Sequence, residues 1–331
     1  MTWFEDLTGF DESSPDHVRK NIVVDGSTLT SLANGKTMTC GRLETPSLDD
    51  LRARIGSDHG NRSHLSVREV VADVQDLHTD ASNAGALFQV ASQFNLLEMV
   101  SPDVSPEWGV GIYEDDYTQG PACAIAAGAG TIYRNYFASV NGQIGQSDNN
   151  QIDCLADLGA ALGNADGRLW EMQNGYALAS HDGLVEITKH LRAASEAERD
   201  ALRKMLRIGI QWDTQVTLKS SDQLVSQAYC SALPVAYSNH SPDLWEGFAR
   251  LVLEASYEAT LCAAILNSQR TGNHRVYLTL LGGGSFGNET HWITDSIARA
   301  LQRYKDWNLD VAVVSHGKSN KSVQQLIKQF R

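Results

Sequence analysis

The chain has no Cys-x-x-Cys pair. Its five cysteines (Cys40, Cys123, Cys154, Cys230 and Cys262) are dispersed and odd in number. Such a set builds neither a disulfide framework nor a zinc ribbon, and it reads as reduced thiols in a cytosolic protein. His-Glu-x-x-His is absent, and none of the ten histidines stands at zinc spacing to a cysteine pair, so no metal is expected. Positive charge is scarce: 27 Lys and Arg face 40 Asp and Glu, a formal net charge of −13. No dense basic stretch interrupts that balance, which argues against a nucleic-acid partner. No apolar run approaches the length of a membrane helix. Residues 1–10 are acidic and do not form a basic leader with an apolar core. A cytoplasmic protein is expected, with no nucleic acid and no membrane as partner, and in a monomeric state.

The chain does have an apolar fraction of 42% and a charged fraction of 20%, which suits an ordinary globular protein. At 331 residues it has length for one large domain or two smaller ones. Residues 1–65 are polar and turn-rich, with short strands or turns expected over 18–24, 28–32 and 37–43 and a helix over 47–55. Strands are expected over 67–74, 86–94, 276–281 and 309–315. Helices are expected over 122–136, 194–206, 244–267 and 292–301. Strands alternating with helices indicate an α/β fold with a largely parallel sheet.

The densest signal is the run from Gly282 to Asn288, between an apolar strand and an amphipathic helix. Gly282, Gly283, Gly284 and Gly287 let backbone approach a ligand, and a helix start offers unpaired N–H groups, so the junction suits a phosphate or diphosphate. The spacing of Gly282, Gly284 and Gly287 fits G-x-G-x-x-G. However, the following strand ends in Ser315, His316 and Gly317, with no acid to hold a ribose. Asn288 and Glu289 stand where a P-loop has Lys and Ser/Thr. A plain connecting turn usually needs one glycine rather than four.

A second segment carries acids. Glu114, Asp115 and Asp116 stand beside Thr118 and Gln119 and lead into a helix with Pro121 near its first turn. Asp116 is placed to favour that helix start. Adjacent acids do not share one face, and they raise each other's pKa, which suits general acid–base work. Arg134 is a partner for one of these acids, and His291 and Trp292 are candidates for a nucleoside wall. Gln227, Tyr229 and Ser231 alternate as one face of a strand, and Cys123 reads as packing.

Taken together, these segments resemble a macrodomain, the fold that binds ADP-ribose. Three pieces carry the resemblance: Val70-Val-Ala-Asp73-Val74, Phe94-Asn95, and Leu280 through Asn288. The motifs Phe-Asn-x-Leu-Glu, Gly-x-Gly-Ile-Tyr-Glu-x-Asp and Thr-Gln-Gly-Pro-Ala-Cys-Ala are similar to the MavL-like branch. That branch removes ADP-ribose from arginine, including an arginine of ubiquitin. The resemblance implies a three-layer α/β/α core with a mixed, largely parallel sheet. It also implies that Asp73, with Val74, meets the adenine amine and that Asn95 meets the distal ribose. Gly282, Gly283, Gly284, Ser285, Phe286, Gly287 and Asn288 would wrap the diphosphate, with Phe286 stacked on the ribose and Gln119 beside the ligand. The match covers about 67–137 and 245–317. Residues 1–65 become an N-terminal extension packed on the core, and 138–240 an insertion in a catalytic domain of 66–331. Two departures stand out. Asn95 is followed by Leu96, Leu97 and Glu98 rather than a glycine run, and the adjacent Gln-Glu-Glu of poly-ADP-ribose glycohydrolases is missing.

The expected activity is hydrolysis of an ADP-ribosyl bond on a modified protein, with arginine as the linkage and ubiquitin among the candidate substrates. Glu98, Asp115 and Asp116, with Glu114, are the candidate catalytic carboxyls; they would activate water, protonate a leaving group or stabilise oxocarbenium-like charge. An acidic site also suits a guanidinium leaving group. No cofactor is called for beyond ADP-ribose as ligand and product. Two alternatives remain: a reader that binds ADP-ribose without cleaving it, and a hydrolase of a small ADP-ribose derivative.

Overall fold

Seven strands carry the architecture of the computed structural model, which describes residues 1–56 and 64–330. They are β1 (Arg42–Glu44), β2 (Ser66–Val71), β3 (Leu87–Ala91), β4 (Gly209–Gln215), β5 (Leu224–Cys230), β6 (Arg275–Leu278) and β7 (Asp310–Ser315). Their spatial order is β1-β4-β5-β3-β6-β7-β2. The five strands from β5 to β2 run parallel. β4 is antiparallel to both of its neighbours. The sheet is therefore mixed and largely parallel, as expected.

Ten helices are labelled in chain order, α1 (Trp3–Thr8), α2 (Leu48–Ile55), α3 (Val74–Thr79), α4 (Gln119–Ala126), α5 (Gly128–Tyr136), α6 (His181–Ala193), α7 (Glu196–Met205), α8 (Pro242–Thr271), α9 (Thr290–Arg303) and α10 (Lys321–Lys328); two more, Pro15–Asn21 and Ala156–Leu162, carry no label. Side chains alternate across the strands, and so do their partners. Val276, Leu278, Val311 and Val313 join one core with Leu261, Ile265 and Ile297 of α8 and α9. Tyr277, Ala312 and Phe88 face the other way, toward Leu77 of α3. Parallel strands buried on both faces require this helical cover.

On the α8 face a buried acid ties four helices. Glu258 has no exposed surface. It accepts from Arg52 Nε at 2.6 Å, Arg299 Nη1 at 2.8 Å and Tyr304 Oη at 3.2 Å. Arg52 also meets Asp200 of α7 through two bonds of 2.8 and 2.9 Å. Burial works to raise the Glu258 pKa, but Arg52 and Arg299 more than offset it and hold the carboxyl below its usual range.

The chain departs from expectation in several places. Of the span 18–24, expected as a short strand or turn, residues 18–21 belong to a helix, Pro15–Asn21, because Ser14 caps it and Pro15 occupies its first position, while residues 22–24 are extended. The expected helix over 122–136 is two helices broken at Ala127, whose φ of −115° and ψ of 58° are not helical. The span 138–240, read as an insertion, supplies β4 and β5 to the sheet. The span 1–65 supplies the edge strand β1 and the core helix α2, and its residues 57–63 lie outside the described residues. Among the described residues no helix is long and apolar enough to cross a membrane. All five cysteines are buried and unpaired.

Candidate functional site

The carboxyl ends of β5, β3, β6, β7 and β2 open into one cleft, the usual ligand position in a parallel sheet. It has two compartments. The smaller, of about 440 Å³, is lined by Glu98, Asp115, Asp116, Tyr176, Tyr237 and Phe286. The larger, of about 770 Å³, is lined by Asp73, Val74, Ile293, Ser315, His316 and Lys318. Tyr117, Thr118, Gln119, Thr279, Leu280 and Gly284 line both and join them. A separate cavity of about 380 Å³ lies between α6, α7 and α8. Three of its arginines are paired, Arg199 with Glu196, Arg203 with Glu196 and Glu254, and Arg250 with Glu246.

The glycine loop forms the wall between the compartments. Gly282 and Gly287 each have a φ of +69°, a region that favours glycine. A Cβ at Gly282 would lie 2.6 Å from Asn288 Nδ2. Asn288 N donates to the Gly282 carbonyl at 2.9 Å, and its side-chain amide donates to Leu233 O at 2.8 Å, which closes the loop. Among the described residues, the N–H groups of Gly284, Ser285 and Phe286 donate to no group of the protein. All three residues line the smaller compartment. Unpartnered N–H groups on successive residues make an anion-binding concavity. The Phe286 ring packs beside Tyr176 and Tyr237, at centroid distances of 5.3 and 5.6 Å.

Glu98 sits at the deep end of the smaller compartment with 4% of its surface exposed. The turn after β3 puts it there. Gln93 N donates to Leu97 O at 3.0 Å, Gln93 Oε1 accepts from Met99 N at 2.8 Å, and Leu96 takes a φ of +67°. Glu98 N donates to Tyr113 Oη at 3.1 Å, while Glu98 Oε1 has no hydrogen-bond partner among the described residues. Burial drives its pKa well above the usual carboxylate range; Arg134 opposes the rise and Asp116 adds to it. The carboxyl is thus held toward its protonated form. Gly120 makes room for it, since a Cβ there would overlap both Glu98 Oε2 and the Ala91 carbonyl.

Asp115 ends a 3-10 turn, Gly111–Asp115, and Asp116 follows it. Both line the compartment. Asp116 Oδ1 accepts from Thr118 N at 2.9 Å, but the N-cap position of α4 belongs to Thr118. In the larger compartment Asp73 caps α3 and accepts from Gln75 N at 2.7 Å.

The cleft therefore collects Asp73, Val74, Glu98, Asp115, Asp116, Gln119 and residues 282–286, but not all of the expected set. Asn95 is fully buried. Its Oδ1 accepts from Leu97 N at 3.0 Å and its Nδ2 donates to Gln151 at 2.9 Å, so it fixes the turn and does not face a ribose. Glu114 points away from the cleft and accepts from Trp3 N at 2.8 Å. Gly287 packs on Ala236, and Asn288 is spent on loop closure. Gln119 lines the cleft, yet its amide serves the end of β3, taking Ala91 N and giving to Gln89 O, both at 2.9 Å. Arg134 does not pair with the 114–116 run. It is fully buried, with its guanidinium 3.7 Å over the Tyr229 ring, and exerts its charge on Glu98. Trp292 is 2% exposed, and neither it nor His291 lines either compartment. Tyr176 and Tyr237 were missed; both lie in segments where no local pattern marks a cleft wall.

No family model matches the chain, and no curated protein matches it. Solved structures do. Poly(ADP-ribose) glycohydrolase from Thermomonospora curvata is similar at 10% identity over 96% of both chains, with a TM-score of 0.46. The same enzyme bound to the inhibitor ADP-HPD is similar at 10% identity over 95% of both chains, with a TM-score of 0.44. Poly(ADP-ribose) glycohydrolase from Deinococcus radiodurans in complex with ADP-ribose is similar at 11% identity over 88% of this chain and 92% of that one, with a TM-score of 0.47. At these identities and TM-scores the likeness assigns no chemistry to this chain.

Proposed function

We propose that the protein is a macrodomain-type hydrolase that binds ADP-ribose along the cleft and cleaves its bond to an arginine side chain of a modified protein, ubiquitin being one candidate. One observation carries the reading. The unpartnered N–H groups of residues 284–286 share a compartment with three carboxyl groups, Glu98, Asp115 and Asp116. The diphosphate lies against those N–H groups, the adenosine extends toward Asp73 and Val74, and the distal ribose reaches toward Glu98. Carboxylates weaken the binding of an anionic ligand, so a module that only bound ADP-ribose would gain nothing from them.

In the reaction the bond from the anomeric carbon to nitrogen breaks and positive charge develops on the sugar. Water adds its oxygen to that carbon. The proton it sheds ends on the departing guanidine, which leaves as guanidinium. Asp115 or Asp116 takes the proton from water and holds the departing cation. Glu98, whose protonated form is favoured by burial, donates to a ribose hydroxyl.

Release of ADP-ribose from an arginine-modified protein tests the reading. The double variant Asp115→Ala/Asp116→Ala is expected to lose about 100-fold or more in turnover. Its affinity for ADP-ribose, measured by calorimetry, should stay within about threefold of wild type. Wild-type turnover in that variant would dismiss the acids, and absence of ADP-ribose binding by the wild-type protein would dismiss the whole reading.

A further inference from the structure

The acids of this site hang on a turn that the N-terminal segment holds from behind. Val110 and Gly111 begin the turn Gly111–Asp115. Their N–H groups donate to the two oxygens of Glu12, Val110 N to Oε1 at 2.9 Å and Gly111 N to Oε2 at 2.6 Å. Tyr136 Oη donates to Glu12 Oε1 at 2.7 Å. Trp3 adds two bonds, from its indole Nε1 to Val110 O at 2.9 Å and from its backbone N to Glu114 Oε2 at 2.8 Å. The middle of the same turn supplies Tyr113 Oη, which accepts from Glu98 N. Its end supplies Asp115.

One five-residue turn therefore touches both sides of the proposed chemistry, and its first residue is fixed by a carboxylate that lies outside the cleft. A Cβ at Gly111 would stand 2.9 Å from Glu12 Oε2, so the glycine keeps space for that carboxylate. A side chain present only to fill space needs no charge there. A carboxylate that accepts two successive backbone N–H groups fixes a loop through charge-assisted bonds.

We propose that Glu12 is a positioning residue that sets the separation of Asp115 and Asp116 from Glu98, which makes the N-terminal segment part of the working site. The proposal rests on the reading of that site as a hydrolase. A displacement near 1 Å at a reacting group costs roughly 100-fold in rate. The full-length Glu12→Ala variant is therefore expected to lose about 10- to 100-fold in kcat. Its affinity for ADP-ribose should be unchanged, because the glycine loop is untouched. Amide hydrogen exchange should rise at residues 110–116 and stay at wild-type rates in β3 and β6. Glu12→Gln keeps one carbonyl oxygen to accept an N–H and should recover part of the kcat; if Glu12→Ala does not fold, Glu12→Gln takes the same measurements. Tyr136→Phe removes one donor to Glu12 but leaves both backbone N–H donors, Val110 N and Gly111 N, and should stay near wild-type kcat. Wild-type kcat in folded Glu12→Ala, or unchanged exchange at 110–116 in a variant that still binds ADP-ribose, overturns the proposal. A wild-type protein that binds no ADP-ribose overturns the hydrolase reading, and with it the proposed separation of catalytic acids.

Discussion

Glu98 and Arg134 are ionisable groups held out of water, yet among the described residues Glu98 Oε1 and Arg134 Nη1 each lack a hydrogen-bond partner. Buried groups left unsatisfied in this way cost stability, and they concentrate where a ligand completes them. Gly120 decides whether Glu98 can hold its place. Gly120→Ala adds a Cβ that collides with the Ala91 carbonyl and Glu98 Oε2. Overpacking of this kind costs about 1–3 kcal/mol, read by urea denaturation. Because the acid must move, turnover should fall more than tenfold; an equal loss of stability with undiminished turnover would free Glu98 from any role. Gly120 was visible in the sequence only as part of a motif. Its reason was hidden, because the contact joins a helix start to a strand end 29 positions away. Asn95 shows the opposite case. A polar residue after a strand looked like a ligand contact, but the left-handed Leu96 beside it turns the chain back and spends the amide on Leu97 N.

At the level of elements, the strand, glycine loop and helix from β6 to α9 could be read in advance, because each has a local cause. Apolar alternation gives the strand, positive φ gives the glycines, and 3.6-residue periodicity gives the helix. What the sequence did not reveal is how the loop is shut. Asn288 reaches across to Leu233 O, a residue after β5, and no local pattern announces that bond. Asn288→Ala removes it and should cost about 1 kcal/mol in stability. The larger effect is expected on ligand. A loop that no longer holds its N–H groups in line should bind ADP-ribose about tenfold more weakly, which corresponds to about 1.4 kcal/mol, with kcat at saturation little changed. Unaltered affinity in a folded Asn288→Ala variant would mean that the loop needs no closure to hold an anion.

At the scale of the whole molecule, the layering was legible and the strand order was not. Alternation of strands and helices announced a parallel sheet, but β4 pairs with β1 and β5 with β3 across long separations, and β4 and β5 sit inside a span that looked like an insertion. Among the groups buried by that pairing is His78. It has no exposed surface and stacks on Phe88 with ring centroids 3.8 Å apart. Its Nδ1 donates to Val74 O at 2.7 Å, and its Nε2 accepts from Gln227 Nε2 at 3.1 Å. Gln227 cannot reverse its amide without cost, since its oxygen accepts from Tyr229 Oη at 2.6 Å and its nitrogen also donates to Cys123 O at 2.9 Å. A second proton on the ring would face a donor. Burial pushes the His78 pKa down to about 4. The unfolded chain protonates this histidine near its ordinary value of about 6.5. Its contribution to stability is therefore complete above about 6.5 and is lost as pH falls toward 4, about 3 kcal/mol in all. Glu12, Glu98 and Asp153, whose pKa values are raised by burial, change stability with the opposite sign and stabilise the fold as they take up protons. The wild-type slope is then a net, and the difference between wild type and His78→Phe isolates the histidine. Urea denaturation from pH 7.5 to pH 4 should show the gap between the two proteins closing, or reversing, by about 3 kcal/mol as pH falls. A gap independent of pH would place a protonated imidazole in the native core.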